Sequence, residues 1–317
     1  MSTPWSVVVT SLPEAPTAAR EALLLAEVTA GNIVHDWATI TVASAAHSIE
    51  LDVSQDALRV GSQGDAVRIT VNAETAQHIA DHLDAMLLTA RMSDLVRQQA
   101  AVVIAPATQT PNAAMANTSR MVLHSKTVDQ RVAGQGGLVA NAGKDWVLTN
   151  KLISQPGRAA NYGWHVASSS YPGTLPGLFV LQPLGLAHNR YHVDYSQTVR
   201  VVSKGCRVDG VERLLVDVLS DPGLAPLVCH EGVLQVFRQP GVPTDVPPPP
   251  VPGAIKRVLK RGLYGADVAL WQSAIGVVPA DGIFGPMTEA ATKAWQSAHG
   301  LVADGIVGPL TRAAAGL

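Results

Sequence analysis

The chain reads as an α+β N-terminal unit joined to a small all-α C-terminal unit. Three features lead there. Strand-like and helix-like runs follow one another without regular alternation over residues 1–239, a proline-rich break spans 240–253, and a duplicated helix–loop motif fills 254–317. With 47% hydrophobic and 15% charged residues over 317 positions, there is enough apolar sequence for two folded units.

Residues 18–28 carry Ala and Leu at helical spacing. Strands are expected at 38–42, 48–53 and 67–71, the last reading Val-Arg-Ile-Thr-Val with clean alternation. Asn72 is a candidate cap for a helix over 73–88, in which Ala76, Ile79, Ala80 and Leu83 share one apolar face. Ser93 is a candidate cap for a second helix through Val102. Residues 105–120 read as a loop, and short strands are expected at 146–149, 178–182 and 198–202. A helical stretch over 211–219 runs into the turn Asp221-Pro222-Gly223. The four prolines Pro247–Pro250 favour an extended polyproline II spacer, which makes 240–253 a semi-rigid linker.

A formal net charge of −2 supplies no basic field for nucleic acid or anionic lipid. No apolar run is long enough to span a membrane, and the first residues lack the basic start, apolar stretch and cleavage site of a signal peptide. Two cysteines, Cys206 and Cys229, are too few for a disulfide framework; they read as two buried free thiols, with a single bridge between them as the alternative. Gly134–Gly137 lacks the strand and helix that a phosphate-binding loop needs.

The C-terminal repeat is the most specific signal. Its first copy runs from Trp271 to Thr288 and its second from Trp295 to Thr311. Each has Trp-Gln-Ser-Ala, a glycine (Gly276 or Gly300), then Asp-Gly-Ile-(Phe/Val)-Gly-Pro leading into Thr. Asp281 and Asp304 suit a turn that accepts backbone N–H groups. Ile283, Phe284, Ile306 and Val307 are expected to plug the loops into the helical core, and Pro286 and Pro309 suit a first helical turn. With the start Gly262-Leu263-Tyr264-Gly265-Ala266-Asp267-Val268, this segment resembles the three-helix peptidoglycan-binding domain family. The resemblance implies peptidoglycan as partner, held in a shallow groove, with Trp271, Gln272, Asp281, Trp295, Gln296 and Asp304 as contact residues. Core packing is the competing role for the two Trp residues.

In the N-terminal unit, aromatic residues and histidines crowd into 162–195. If 190–194 is extended, His192 and Asp194 share one face, with Ser196 beside Asp194. Such a face offers a nucleophile with its base, or half of a metal site, with zinc one candidate and the metal otherwise open. His188, Asp194 and His230 follow the order of a zinc peptidase set, although their spacing is not that of the D-Ala-D-Ala peptidases. Cys229-His230 is a thiol–imidazole pair by sequence only. The motifs Lys144-Asp145, Tyr162-Gly163-Trp164-His165, Gln182-Pro183-Leu184, His188, Tyr191 and Asp194-Tyr195-Ser196 together resemble an uncharacterised bacterial family. The likeness breaks at Gln197-Thr198, where that family has His-Gly. It moves the expected catalytic set to His165, His188, Asp194 and Ser196, with Trp164, Tyr191 and Tyr195 contacting substrate in the same pocket.

The expected function is a cell-wall hydrolase of endolysin type that cuts an amide bond. Paired carboxylates of the muramidase kind are not evident. Delivery to the wall would be by phage-type release or by injection, the chain otherwise staying cytoplasmic until release. The alternative is a non-catalytic wall-binding virion or structural protein.

Overall fold

The computed structural model of the chain describes residues 2–167, 178–244, 257–263, 266–277 and 282–315. The prolines Pro247–Pro250 of the expected linker lie outside the described residues.

The N-terminal unit begins with α1 (Trp5–Val8), α2 (Ala18–Thr29), β1 (Ile33–Val34), β2 (Trp37–Ala43), β3 (Ser48–Ser54), β4 (Arg59–Ser62) and β5 (Asp65–Arg68). Then come α3 (Ala73–His82), β6 (Ala85–Thr89), α4 (Ala90–Gln99), β7 (Val102–Val103), α5 (Thr118–Val132), β8 (Val139–Ala140) and β9 (Lys144–Leu148). It ends with β10 (Arg158–Ala167), β11 (Leu178–Asn189), β12 (Gln197–Thr198), β13 (Val201–Val208), β14 (Val211–Leu214), α6 (Leu215–Ser220) and α7 (Ala225–Val228).

A nine-stranded sheet carries the unit, in the order β11-β10-β9-β6-β13-β3-β2, with β12 beside β9 and β14 beside β13. Its pairs are antiparallel except β6–β9 and β12–β9, which are parallel. Smaller sheets, β1-β4-β5 and β7-β8, complete the unit. Helix α4 packs across β6, β9 and β10, so its residues look onto the centre of the large sheet. The main core gathers Leu24, Ile49, Leu51, Ile69, Ile79, Leu88, Met92, Trp146 and Leu152, all buried.

Several local expectations change once packing is seen. The helix expected over 73–88 stops at His82, and Ala85–Thr89 becomes the fully buried strand β6. A strand buried on both faces reads as a continuous apolar run, and Ala-Met-Leu-Leu looks the same in either element. The run 67–71 does not alternate, since all five residues are buried and only its start lies in β5. Arg68 is 1% exposed because its guanidinium reaches Asp56 and Asp129 at 2.5 and 2.6 Å. Residues 211–214 form β14 rather than the start of a helix, which begins only at Leu215. Helix α4 is capped by Thr89, whose hydroxyl oxygen accepts the Met92 N–H, and not by Ser93. Helix α5 begins inside the loop expected over 105–120 and continues to Val132. Both cysteines are free and buried.

The C-terminal unit has its own core and contains α8 (Ala266–Ala274), α9 (Pro286–Ala298) and α10 (Pro309–Ala315). Leu259, Val268, Trp271, Phe284 and Val307 form that core. No helix among the described residues is long and apolar enough to cross a membrane.

One close approach fixes the middle of the large sheet. Gly143 precedes β9 where β12 runs parallel to it, and a Cβ there would meet the Thr198 side chain, with Thr198 Cβ itself at 2.8 Å. Gly143→Ala should therefore push β12 off β9 and lower the melting temperature by several degrees, at a cost of about 1–3 kcal/mol. Melting by circular dichroism tests this, and an unchanged midpoint would mean the strands separate freely.

Candidate functional site

Asp94 on α4 is fully buried, yet three side chains converge on its carboxylate. Tyr162 Oη donates to Oδ1 at 2.8 Å, His165 Nε2 stands 2.7 Å from Oδ1, and His230 Nε2 stands 2.6 Å from Oδ2. An ionised carboxylate only accepts, so both rings turn Nε2–H toward it. The His165 side chain is 3% exposed and that of His230 is 35% exposed. His230 therefore keeps Nδ1 for chemistry at the surface, while His165 is enclosed.

Local structure explains the convergence. Residues 162 and 165 are an odd number of positions apart, so in a regular strand they would face opposite ways. The β10–β11 register shifts between Asn161 and Gly163, and Gly163 and Trp164 both have positive φ, 130° and 59°. This bulge turns Tyr162 and His165 onto the α4 side and Trp164 onto the other. A positive φ in a residue as large as Trp is a strained conformation, of the kind that accumulates where side chains must be aimed. His230 is delivered by the segment after α7, which is tied to the head of α4 because Thr89 Oγ1 donates to the Val228 carbonyl at 2.5 Å.

Beside His230 lies a pocket of about 260 Å³. Phe179, Val180, Pro183 and Leu184 make an apolar wall, and Thr89, Tyr162, Cys229, His230 and Glu231 line the rest. Cys229 is 1% exposed, and burial raises its thiol pKa. On the inner side, Ser93 Oγ donates to Asp145 at 2.7 Å and the Arg200 guanidinium stands 3.7 Å away. Burial nevertheless holds the Asp145 carboxyl above its ordinary value.

Trp164 belongs to a second cluster on the opposite side of the bulge. Lys144 Nζ sits 5.3 Å from the Trp164 ring centre and 3.1 Å from Asp194 Oδ2. Ser196 donates to Asp194 Oδ1 from both its hydroxyl, at 2.5 Å, and its backbone N–H, at 2.7 Å. Burial would raise the Asp194 carboxyl, but Lys144 and Ser196 together hold it below the ordinary value. The Ser196 hydroxyl is fully buried and already bonded to a carboxylate. Tyr195 is buried, its hydroxyl accepting the Gln109 N–H at 2.8 Å. His188 stacks face to face on His192, ring centres 3.7 Å apart, and burial lowers the pKa of both.

The four residues expected to share one pocket are thus divided. His165 joins Asp94, Tyr162 and His230, whereas Asp194 and Ser196 join Lys144, and His188 pairs with His192. Residues 190–196 are turn and irregular chain rather than extended strand, so the face expected for His192 and Asp194 does not form. Of the expected substrate contacts, Trp164 and Tyr195 are buried and Tyr191 is 56% exposed. Asp94 was missed, because a single Asp within a helical run carries no sequence signal. Among the described residues no group of three or more His, Cys, Asp or Glu side chains is arranged to hold a metal ion. Both Asp94 oxygens are instead at hydrogen-bonding distance from imidazole nitrogens.

In the C-terminal unit the repeated glutamines act as internal clamps. Gln272 accepts the Gly282 N–H at 2.7 Å and donates to the Ile283 carbonyl at 3.0 Å and to Thr288 Oγ1 at 2.8 Å. Gln296 does the same in the second copy, with Gly305, Ile306 and Thr311 at 2.9, 2.9 and 3.1 Å. Trp271 is fully buried and donates to Thr292 Oγ1, while Trp295 is half-buried and stacks on His299. Asp304 accepts the Ile306 N–H at 2.8 Å in the expected turn, whereas Asp281 lies outside the described residues. Phe284 and Val307 plug the core as expected. Ile283 and Ile306 do not, and are 58% and 38% exposed.

His124, on α5, packs between Trp164 and Tyr195 with both ring nitrogens buried and unbonded. Burial, aided by Arg68, lowers its pKa from 6.5 to about 4. Between those values the unfolded chain binds a proton that the folded chain refuses, so stability is lost as pH falls from 6.5 toward 4. The full effect is on the order of 3 kcal/mol. Melting temperatures at pH 7.5, 5.5 and 4.5 should fall, and His124→Phe should flatten that slope. An equal slope in the variant would move the acid sensitivity to other histidines.

Comparison with known proteins bears on the C-terminal unit. No curated protein and no solved structure matches the chain. Residues 257–315 match the peptidoglycan-binding domain family, so the chain carries a peptidoglycan-binding domain at its C-terminus, which points to the cell wall.

Proposed function

We propose that the chain is a cell-wall hydrolase of endolysin-like organisation, a cutting unit carried on a peptidoglycan-binding domain, and that it hydrolyses an amide bond. The observation that carries this reading is the buried Asp94 carboxylate, which holds the half-exposed His230 at the edge of a pocket of about 260 Å³. A buried carboxylate that orients an imidazole and stabilises its protonated form is the arrangement a general base needs.

In this reading a carbonyl of the peptide part of peptidoglycan enters between the apolar wall and His230. The Nδ1 atom of His230 takes a proton from water as the water oxygen attacks the carbonyl carbon. The same proton then passes to the amine nitrogen as the C–N bond breaks. Asp94 steadies the imidazolium in between. His165 and Tyr162 act by fixing Asp94. The Lys144–Asp194–Ser196 cluster acts by holding Trp164 and the bulge, so Asp194 and Ser196 are positioning residues here. A thiol mechanism is disfavoured, since burial raises the Cys229 pKa and the nucleophile is the thiolate. Attachment to the polymer keeps the pocket at high local substrate concentration.

Purified protein incubated with washed cell walls should release new free amines. Asp94→Asn and His230→Ala should each lower that release by about a hundredfold or more while leaving wall co-sedimentation unchanged. New reducing ends in place of amines would point to a glycosidase. Wall binding with neither product would make the chain a non-catalytic wall-binding protein.

A further inference from the structure

The loops of the C-terminal repeat leave an apolar outer surface that the fold itself does not use. The two loops flank one segment. Phe284 N–H donates to the Leu263 carbonyl at 2.8 Å, and Val307 N–H donates to the Leu259 carbonyl at 2.8 Å. Each loop buries its second apolar residue, Phe284 or Val307, beneath that segment. The preceding residues, Ile283 and Ile306, are turned outward. The repeat then exposes a second equivalent pair, Met287 and Leu310, 59% and 79% exposed at the starts of α9 and α10. The same two positions thus expose an apolar side chain in both copies, and a cluster of exposed apolar side chains is the usual mark of a binding surface.

The segment between the loops is cationic. Lys260 is exposed and has no ion-pair partner among the described residues. Arg261 is 63% exposed, with Glu289 as its neighbour at 3.4 Å, and Glu289 is held more closely by Lys293 at 2.8 Å. An apolar pair on each side of two cations suits a ligand with small alkyl groups and a free carboxylate. Within peptidoglycan that is the stem peptide, whereas the glycan backbone supplies mainly hydroxyl and amide groups. Trp271, Gln272 and Gln296 point inward and are satisfied, so they hold the loops rather than the ligand.

We infer that the domain reads the stem peptide, through Ile283 and Ile306 with Lys260 and Arg261, and that the glycan backbone is not its main ligand. This rests on the wall-binding reading of residues 257–315.

The test uses the full chain at low temperature, sedimented with intact walls and with walls stripped of stem peptides by an amidase. Wild-type protein should pellet with intact walls and not with stripped glycan. The pairs Ile283→Ser with Ile306→Ser, and Lys260→Glu with Arg261→Glu, should each weaken pelleting by about tenfold or more. Their melting temperatures should stay near wild type, because all four side chains are exposed. Added salt should weaken wild-type binding and leave the charge-reversed pair little affected. Equal binding to stripped glycan, or unchanged binding by both folded variants, would overturn the inference while leaving wall binding intact. Failure of the wild-type chain to pellet with intact walls would instead overturn the wall-binding reading.

Discussion

A buried carboxylate is the constraint around which the N-terminal unit is arranged. Asp94 is buried away from bulk solvent, so the fold supplies donors from elsewhere in the chain, and it brings them from β10 and from the segment after α7. Removing one of these donors leaves the buried carboxylate short of a hydrogen bond, at a cost of about 1–3 kcal/mol. That penalty links residues 71 and 136 positions from Asp94 into one cooperative unit. The bulge at Gly163 and Trp164 follows from it, since a regular strand could not send both Tyr162 and His165 to one acceptor. The strain at Trp164 is borne by its surroundings, where Lys144, Tyr195 and His124 pack around the indole.

The two sides of β9 and β10 therefore have different chemistry. Toward α4 lie Asp145, Tyr162 and His165, with Ser93 and Arg200 completing the network. On the other side Lys144 neutralises Asp194 beneath the aromatic rings. The first borders the pocket of about 260 Å³ through Tyr162 and His230, whereas the Ser196 hydroxyl of the second is fully buried. This difference in access, more than any difference in residue type, separates a group that could touch substrate from one that holds the scaffold.

The peptidoglycan-binding domain reaches order by another route. It is too small for a large core, and two copies of one clamp make up the difference. Each glutamine satisfies a loop N–H, a loop carbonyl and a threonine hydroxyl at the head of the next helix. Replacing such a clamp would leave several buried polar groups unpaired, each costing about 1–3 kcal/mol. The two glutamines, with the buried Trp271, are therefore required by folding.

The sequence by itself determined the α+β character of the N-terminal two thirds, the cap at Asn72, the turn at Asp304 and the C-terminal peptidoglycan-binding domain. These depend on local chemistry: a short polar side chain reaching nearby N–H groups, and a motif repeated with fixed spacing. It also drew attention to His165 and His230, though not to their shared partner. Tertiary structure alone decided that Ala85–Thr89 is a buried strand, that Arg68 is enclosed by Asp56 and Asp129, and that His188, Asp194 and Ser196 lie apart from His165. The physical reason is common to all of these. Burial on both faces erases the periodicity by which a strand is recognised, and an ion pair or hydrogen bond between distant residues leaves no trace in spacing. The direction of a side chain after a bulge depends on two backbone angles that residue identity does not fix. Asp94 is the plainest case, an ordinary aspartate in a helical run until the sheet brings two imidazoles and a phenol against it.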